Sequence, residues 1–261
     1  MMIKLLKYDL KKVLGFLVYF YVISFGFAVI TRLINIGKDI QFIYIIGLIF
    51  AGITYAGVAQ ILINVFTQTL KIFITDFYKD ESYLTHTLPV TKNQLLLAKY
   101  LTALITIVIS VAVCVLDLFI VLYTPEFFEG VKALISLTVS GLNMSGGLFL
   151  FLCCLIILLQ ICAIISMVFS AIVKANTYNS KRVIRGFIWF FIYYFASMVA
   201  TLAIATIVFA ITGNLSSLFA QVLPQSAFVT ILIIGAIAYF VYSILFYFMA
   251  NKNFNKGVNV D

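Results

Sequence analysis

Residues Asp76 to Tyr100 read DFYKDESYLTHTLPVTKNQLLLAKY, and the reading of this stretch decides the fold. It is the longest strongly polar island between two apolar runs, in a chain of 261 residues of which only 10% are charged. Asp76, Lys79, Asp80, Glu81, His86 and Lys92 fall inside it, with Pro89 as its one proline. So many charges are too costly in hydrocarbon, which places the island in water between two membrane crossings. Its second half starts a helix: Thr91 is the N-cap, Gln94 the capping-box partner, and Val90 and Leu95 form a hydrophobic staple. Pro89 drives Leu88 away from the α region, so a helix over Asp80 to His86 ends before it. The island therefore reads as a short cytosolic helix, a stop, and a fresh helix that enters the membrane.

Composition agrees with this placement. Hydrophobic residues make up 64% of the chain, with 26 Phe and 15 Tyr, and the mean hydropathy is +1.18. A soluble domain of this length needs far more polar surface. The apolar runs are long enough for helices, so the fold class is an all-α integral membrane protein. The net charge of +8 does not point to nucleic acid, because the lysines cluster at the ends of apolar runs, where they act as topology and anionic-lipid signals. Cys114, Cys153, Cys154 and Cys162 all lie within apolar runs and read as small apolar fillers.

Outward from the island, the chain resolves into a single transmembrane domain, 1–261, with six crossings. Residues 1–13 carry Ile3, Leu6, Leu10 and Val13 on one helical stripe and Lys4, Lys7 and Lys11 on another, an amphipathic helix for the membrane surface. The spans fall at about 14–34, 42–66, 95–123, 144–173, 186–211 and 227–250, with 71–94 as a cytosolic loop between the second and third. In the second span, Gly47 with Ala51 and Gly52 with Ala56 are small pairs that let another helix approach. The first turns of the third span, Lys99 included, are expected to project into the cytosol. Residues 124–143 open with Pro125, Glu126 and Glu129 and form a surface helix too short to cross. The chargeless connection 212–226 has an apolar middle that dips back into the outer leaflet. With both termini cytosolic, 14 of the 17 basic residues lie inside, against Arg32, Lys38 and Lys132 outside.

Catalytic and metal motifs are missing from the sequence. It has no phosphate loop of the G-x-x-x-x-G-K-[ST] kind and no H-E-x-x-H, and its single histidine is His86, which reads as part of a helix surface. No cofactor is expected on the chain, and it is not expected to be an enzyme. The one acid deep in an apolar run is Asp117, about six residues, or roughly 9 Å, from the end of its span. Two readings stand for it: a candidate pathway residue, or a structural hydrogen bond to a hydroxyl.

The run KDESYLTHTLPVTKNQLLLAKYL resembles the first cytosolic loop of the permease subunits of type-2 ABC transporters. Members from Gram-positive bacteria carry a D-E-x-Y-L-T-x-T-L-P phrase, matched here by Asp80, Glu81, Tyr83, Leu84, Thr85, Thr87, Leu88 and Pro89, with Lys99 downstream. The resemblance implies a multi-pass plasma-membrane permease that pairs with the same or a related chain. It also implies two copies of a separate cytosolic ABC ATPase beneath the pair, holding ATP and Mg on that partner. Asp80, Glu81, Tyr83, Leu84, Thr87, Leu88 and Pro89 would then be the ATPase-coupling residues, with Tyr83, Leu84 and Leu88 as docking surface. The leading expectation is export of a peptide, antibiotic or other amphipathic substrate. The alternative is a membrane sensor or scaffold that binds a cytosolic partner and transports nothing.

Overall fold

The computed structural model describes residues 2–37, 40–78, 90–140, 146–178, 181–213 and 225–255. Among these the chain forms seven α-helices and no strand: α1 (Met2–Ile36), α2 (Gln41–Tyr78), α3 (Lys92–Leu122), α4 (Pro125–Ser140), α5 (Gly146–Ala175), α6 (Arg182–Ile211) and α7 (Gln225–Asn255). All but α4 are long and apolar enough to cross a membrane. Their large apolar side chains are widely exposed, as in Tyr19, Leu62, Phe151, Phe195 and Phe248. Lipid is the solvent that makes such a surface stable. The short α4, at 16 residues, follows the third span where a helix too short to cross was expected. Thr124 starts it, accepting at Oγ1 from Phe127 N and at its carbonyl from Phe128 N, with Pro125 at the first helical position.

The helices fall into two compact units, 1–130 and 131–261. In the first, α1, α2 and α3 pack against one another in pairs. Each presents one stripe to the others: Val13, Leu17, Ser24, Ala28 and Thr31 on α1, for example, are all buried. The amphipathic N-terminal stretch is continuous with the first span, because nothing between Val13 and Gly15 interrupts the helix. Helix α2 likewise continues past the expected span end at Phe66 to Tyr78. Residues 67–78 keep the core period, with Thr69, Ile72, Phe73 and Asp76 buried and Lys71 outside. That adds 12 residues, roughly 18 Å of helix at 1.5 Å per residue.

Polar cross-links run up this unit. Tyr21 Oη lies 2.5 Å from Ser110 Oγ, and since Ser110 spends its one proton on the Thr106 carbonyl, Tyr21 is the donor. Thr31 and Thr54 hydroxyls meet at 3.0 Å, and the Cys114 thiol points at the Val58 carbonyl at 3.8 Å. Of the two small pairs singled out on α2, Gly47 does sit where α1 comes close: a Cβ there would lie 2.6 Å from Asn35 Oδ1. Gly52 faces open space, and Ala56 is exposed. The second close approach is at Gly57 instead, where a Cβ would stand 3.1 Å from Ser24 Oγ. A glycine and an alanine four apart mark a face, but only the packing says whether that face is covered.

In the second unit, α5 packs against α6 and α7. Its core holds Ala163, Met167, Ala171, Tyr193 and Phe246, with Trp189 and Tyr242 packed against them. Tyr242 Oη donates to the Ser197 carbonyl at 3.0 Å and joins α7 to α6. Lys174 rests over the Trp189 ring at 5.5 Å.

Candidate functional site

Three helix termini of the first unit meet at the end that carries the N-terminus: the start of α1, the end of α2 and the start of α3. The last two are the stems from which the polar island departs and to which it returns. The return is built as the sequence predicts. Thr91 Oγ1 accepts from Gln94 N at 3.3 Å, Gln94 Oε1 accepts from Thr91 N at 3.4 Å, and the capping box is complete. Thr91 itself is extended (φ −72°, ψ 149°), so the chain turns sharply into α3 at a set point.

Both stems are buried. Phe73, Phe77 and Tyr78 close the end of α2, with the Phe73 and Phe77 rings edge-to-face at 4.9 Å. On α3, Leu95, Leu96 and Ala98 are buried. Between these apolar walls stands a charge cluster. The Lys99 ammonium is only 3% exposed, and it pairs with Asp9 Oδ2 at 2.8 Å and with Asp76 Oδ2. Lys12 approaches the other Asp76 oxygen at 3.8 Å. One cation from α3 is thereby held between a carboxylate from α1 and one from α2. Removing one partner from a buried pair costs about 3–5 kcal/mol, since it strands an uncompensated charge. The arrangement is therefore a lock on the relative position of three helix ends.

Lys99 does not stand out from the helix bundle into solvent but is buried among the three helix ends. Two buried carboxylates neutralise it, and its stripe (Lys99, Thr102, Thr106, Ser110) is the packed face of α3. Asp9 was missed altogether. It lies one and two helical turns before the buried Val13 and Leu17, so its register with the core face was the available signal. The lysines around it drew the reading toward a solvated face.

Of the other residues singled out, Asp117 is fully buried on α3 and accepts a hydrogen bond from Ser24 Oγ of α1 at 2.6 Å. That is the structural reading of Asp117: a cross-link between two spans, made with a hydroxyl. Asp80, Glu81, Tyr83, Leu84, Thr87, Leu88 and Pro89, together with His86, lie outside the described residues, and so does most of the 212–226 connection. Cys114 is buried, Cys153 and Cys162 are half-buried and Cys154 is exposed, all as free thiols.

The lock ties the N-terminal helix to the two roots of the island. Comparison with known proteins bears on what that arrangement belongs to. Neither a curated protein nor a solved structure matches the chain. A family described as ABC-2 family transporter protein does match, over residues 28–149. That stretch takes in the last turns of α1, all of α2, α3 and α4, and the entire island between them. Over this stretch, which holds the whole island, the chain is similar to the ABC-2 transporter family, and its six apolar helices suit a membrane permease of that kind.

Proposed function

We propose that the chain is the membrane-spanning half of an exporter, driven by ATP that a separate ABC ATPase hydrolyses. In this reading both termini and the island face the cytosol, and the segment 80–89 carries the short coupling helix that seats in the ATPase. Two such chains, or this chain and a related one, form the pathway, and each carries an ATPase beneath it. Aromatic-rich spans with few charges suit an amphipathic cargo, a peptide or antibiotic, better than a strongly hydrated ion.

The observation that supports this most is the buried cluster of Asp9, Asp76 and Lys99 at the island's roots. A loop that only joins two spans needs no rigid mount. A lever needs one, because force applied to a loose loop dissipates in its own motion. The cluster and the capping box at Thr91 together supply a stiff connection from the island to α1, α2 and α3.

The test is to replace Leu84 and Leu88 with Asp and purify the chain from its native membranes. ATP-binding polypeptides that travel with it are then labelled with a photoreactive azido-ATP. The wild-type chain is expected to bring down a labelled ATPase and the double variant to lose it while still inserting. Undiminished labelling with the variant would sink the coupling assignment.

A further inference from the structure

At the opposite end of the first unit from the charge lock, a cavity of about 470 Å³ opens between the end of α1, the start of α2 and the end of α3. Its size falls in the range of small-molecule sites. Arg32 is the one charged side chain that lines it, among Asn35, Tyr44, Tyr55 and Tyr123 and apolar residues such as Leu48 and Val121. The Arg32 guanidinium lies over the Tyr123 ring, 5.5 Å from its centre. Among the described residues it has no carboxylate and no hydrogen-bond partner. The hydroxyls of Tyr44, Tyr55 and Tyr123 likewise bond to none of the described residues. The cavity thus offers a fork of N–H donors and three O–H donors, with no anion among the described residues to receive them.

Depth identifies what would. Arg32 stands 20 residues after Lys12 on one continuous helix, with no charge between them. At 1.5 Å per residue that is roughly 30 Å, the thickness of the hydrocarbon core. The two cations therefore mark the two headgroup levels, and the cavity opens at one of them. We propose that this cavity is a binding site for an anionic phospholipid, its phosphate on the Arg32 guanidinium and the tyrosine hydroxyls. The first turns of its acyl region lie along the apolar wall. A guanidinium matches phosphate in a two-pronged geometry that a point charge lacks. Gly47 shapes the site from the α2 side: it leaves room for the Asn35 side chain, which a Cβ at that position would displace. The site does not depend on whether the chain transports anything.

The experiment is native mass spectrometry of the full chain in detergent, titrated with phosphatidylglycerol, with phosphatidylcholine of the same acyl chains, or with inorganic phosphate. Wild type is expected to retain phosphatidylglycerol at least five-fold over phosphatidylcholine. Arg32→Gln should bring the two lipids level, and Arg32→Lys should fall between. Gly47→Val keeps the arginine but pushes Asn35 into the cavity, so it too should lower retention, and it decides the matter if Arg32→Gln does not fold. Unchanged preference in Arg32→Gln or in Gly47→Val overturns the site. Release of bound lipid by an equal concentration of inorganic phosphate overturns the lipid assignment.

Discussion

Replacing Lys99 with Met removes the ammonium and keeps most of the stem, so the change is one of charge and not of volume. Two carboxylates remain. Asp76 still has Lys12 at 3.8 Å, but Asp9, 1% exposed, is left facing a second anion in the protein interior. Breaking a buried pair in this way costs about 3–5 kcal/mol. Asp76→Asn is milder, because Lys99 keeps Asp9 at 2.8 Å, and about 1–3 kcal/mol is expected for the lost charged hydrogen bond. Replacing all three (Asp9→Asn, Asp76→Asn and Lys99→Met) leaves no stranded charge and should recover much of the loss. For a chain of this size about 1 kcal/mol moves Tm by roughly 2–4 °C, so Lys99→Met should lower it by roughly 6–20 °C. The assay is thermal unfolding read by a dye that fluoresces on reacting with thiols. In a background with Cys153, Cys154 and Cys162 changed to Ser, the remaining thiol is Cys114, buried in the first unit, so the signal reports that unit alone. A Lys99→Met variant that unfolds at a higher temperature than Asp76→Asn, or a triple variant less stable than Lys99→Met, would refute the idea that the cluster is a lock.

Two further outcomes follow from single contacts. Ser24→Ala takes away the hydroxyl that donates to buried Asp117 and should cost about 1–3 kcal/mol, whereas Asp117→Asn keeps an oxygen to accept from Ser24 and should cost less. The same thiol-dye measurement checks the order, and the reverse order would show that the carboxylate matters for more than this bond. Thr91→Ala removes the N-cap of α3 and should cost about 1 kcal/mol, with Thr91→Asp restoring it. Hydrogen exchange at Gln94 and Leu95 amides should quicken in the alanine variant and return to the wild-type rate with Asp. Equal exchange in all three would mean the cap does not hold the return of the island.

What the amino-acid sequence determined unaided is whatever local physics decides. Exclusion of charge from hydrocarbon places six apolar helices and leaves a polar stretch between the second and third, though α2 and α3 take in both ends of the island. The chemistry of helix starts sets Thr91 with Gln94, and Pro125 after Thr124, at helix N-termini, because those groups lie within four residues of the bonds they make. The island phrase was legible as a family resemblance for the same reason, since it is a contiguous stretch. Only the tertiary structure could decide that Asp9, Asp76 and Lys99 meet, that Ser24 answers Asp117, or that Gly57 and not Gly52 takes a close neighbour. Those partners lie 23 to 93 residues apart along the chain. In a membrane any apolar face can be covered equally well by lipid or by another helix. Hydropathy therefore says that a helix crosses, while the choice of neighbour comes from close packing and from the few polar groups that must find one another away from water.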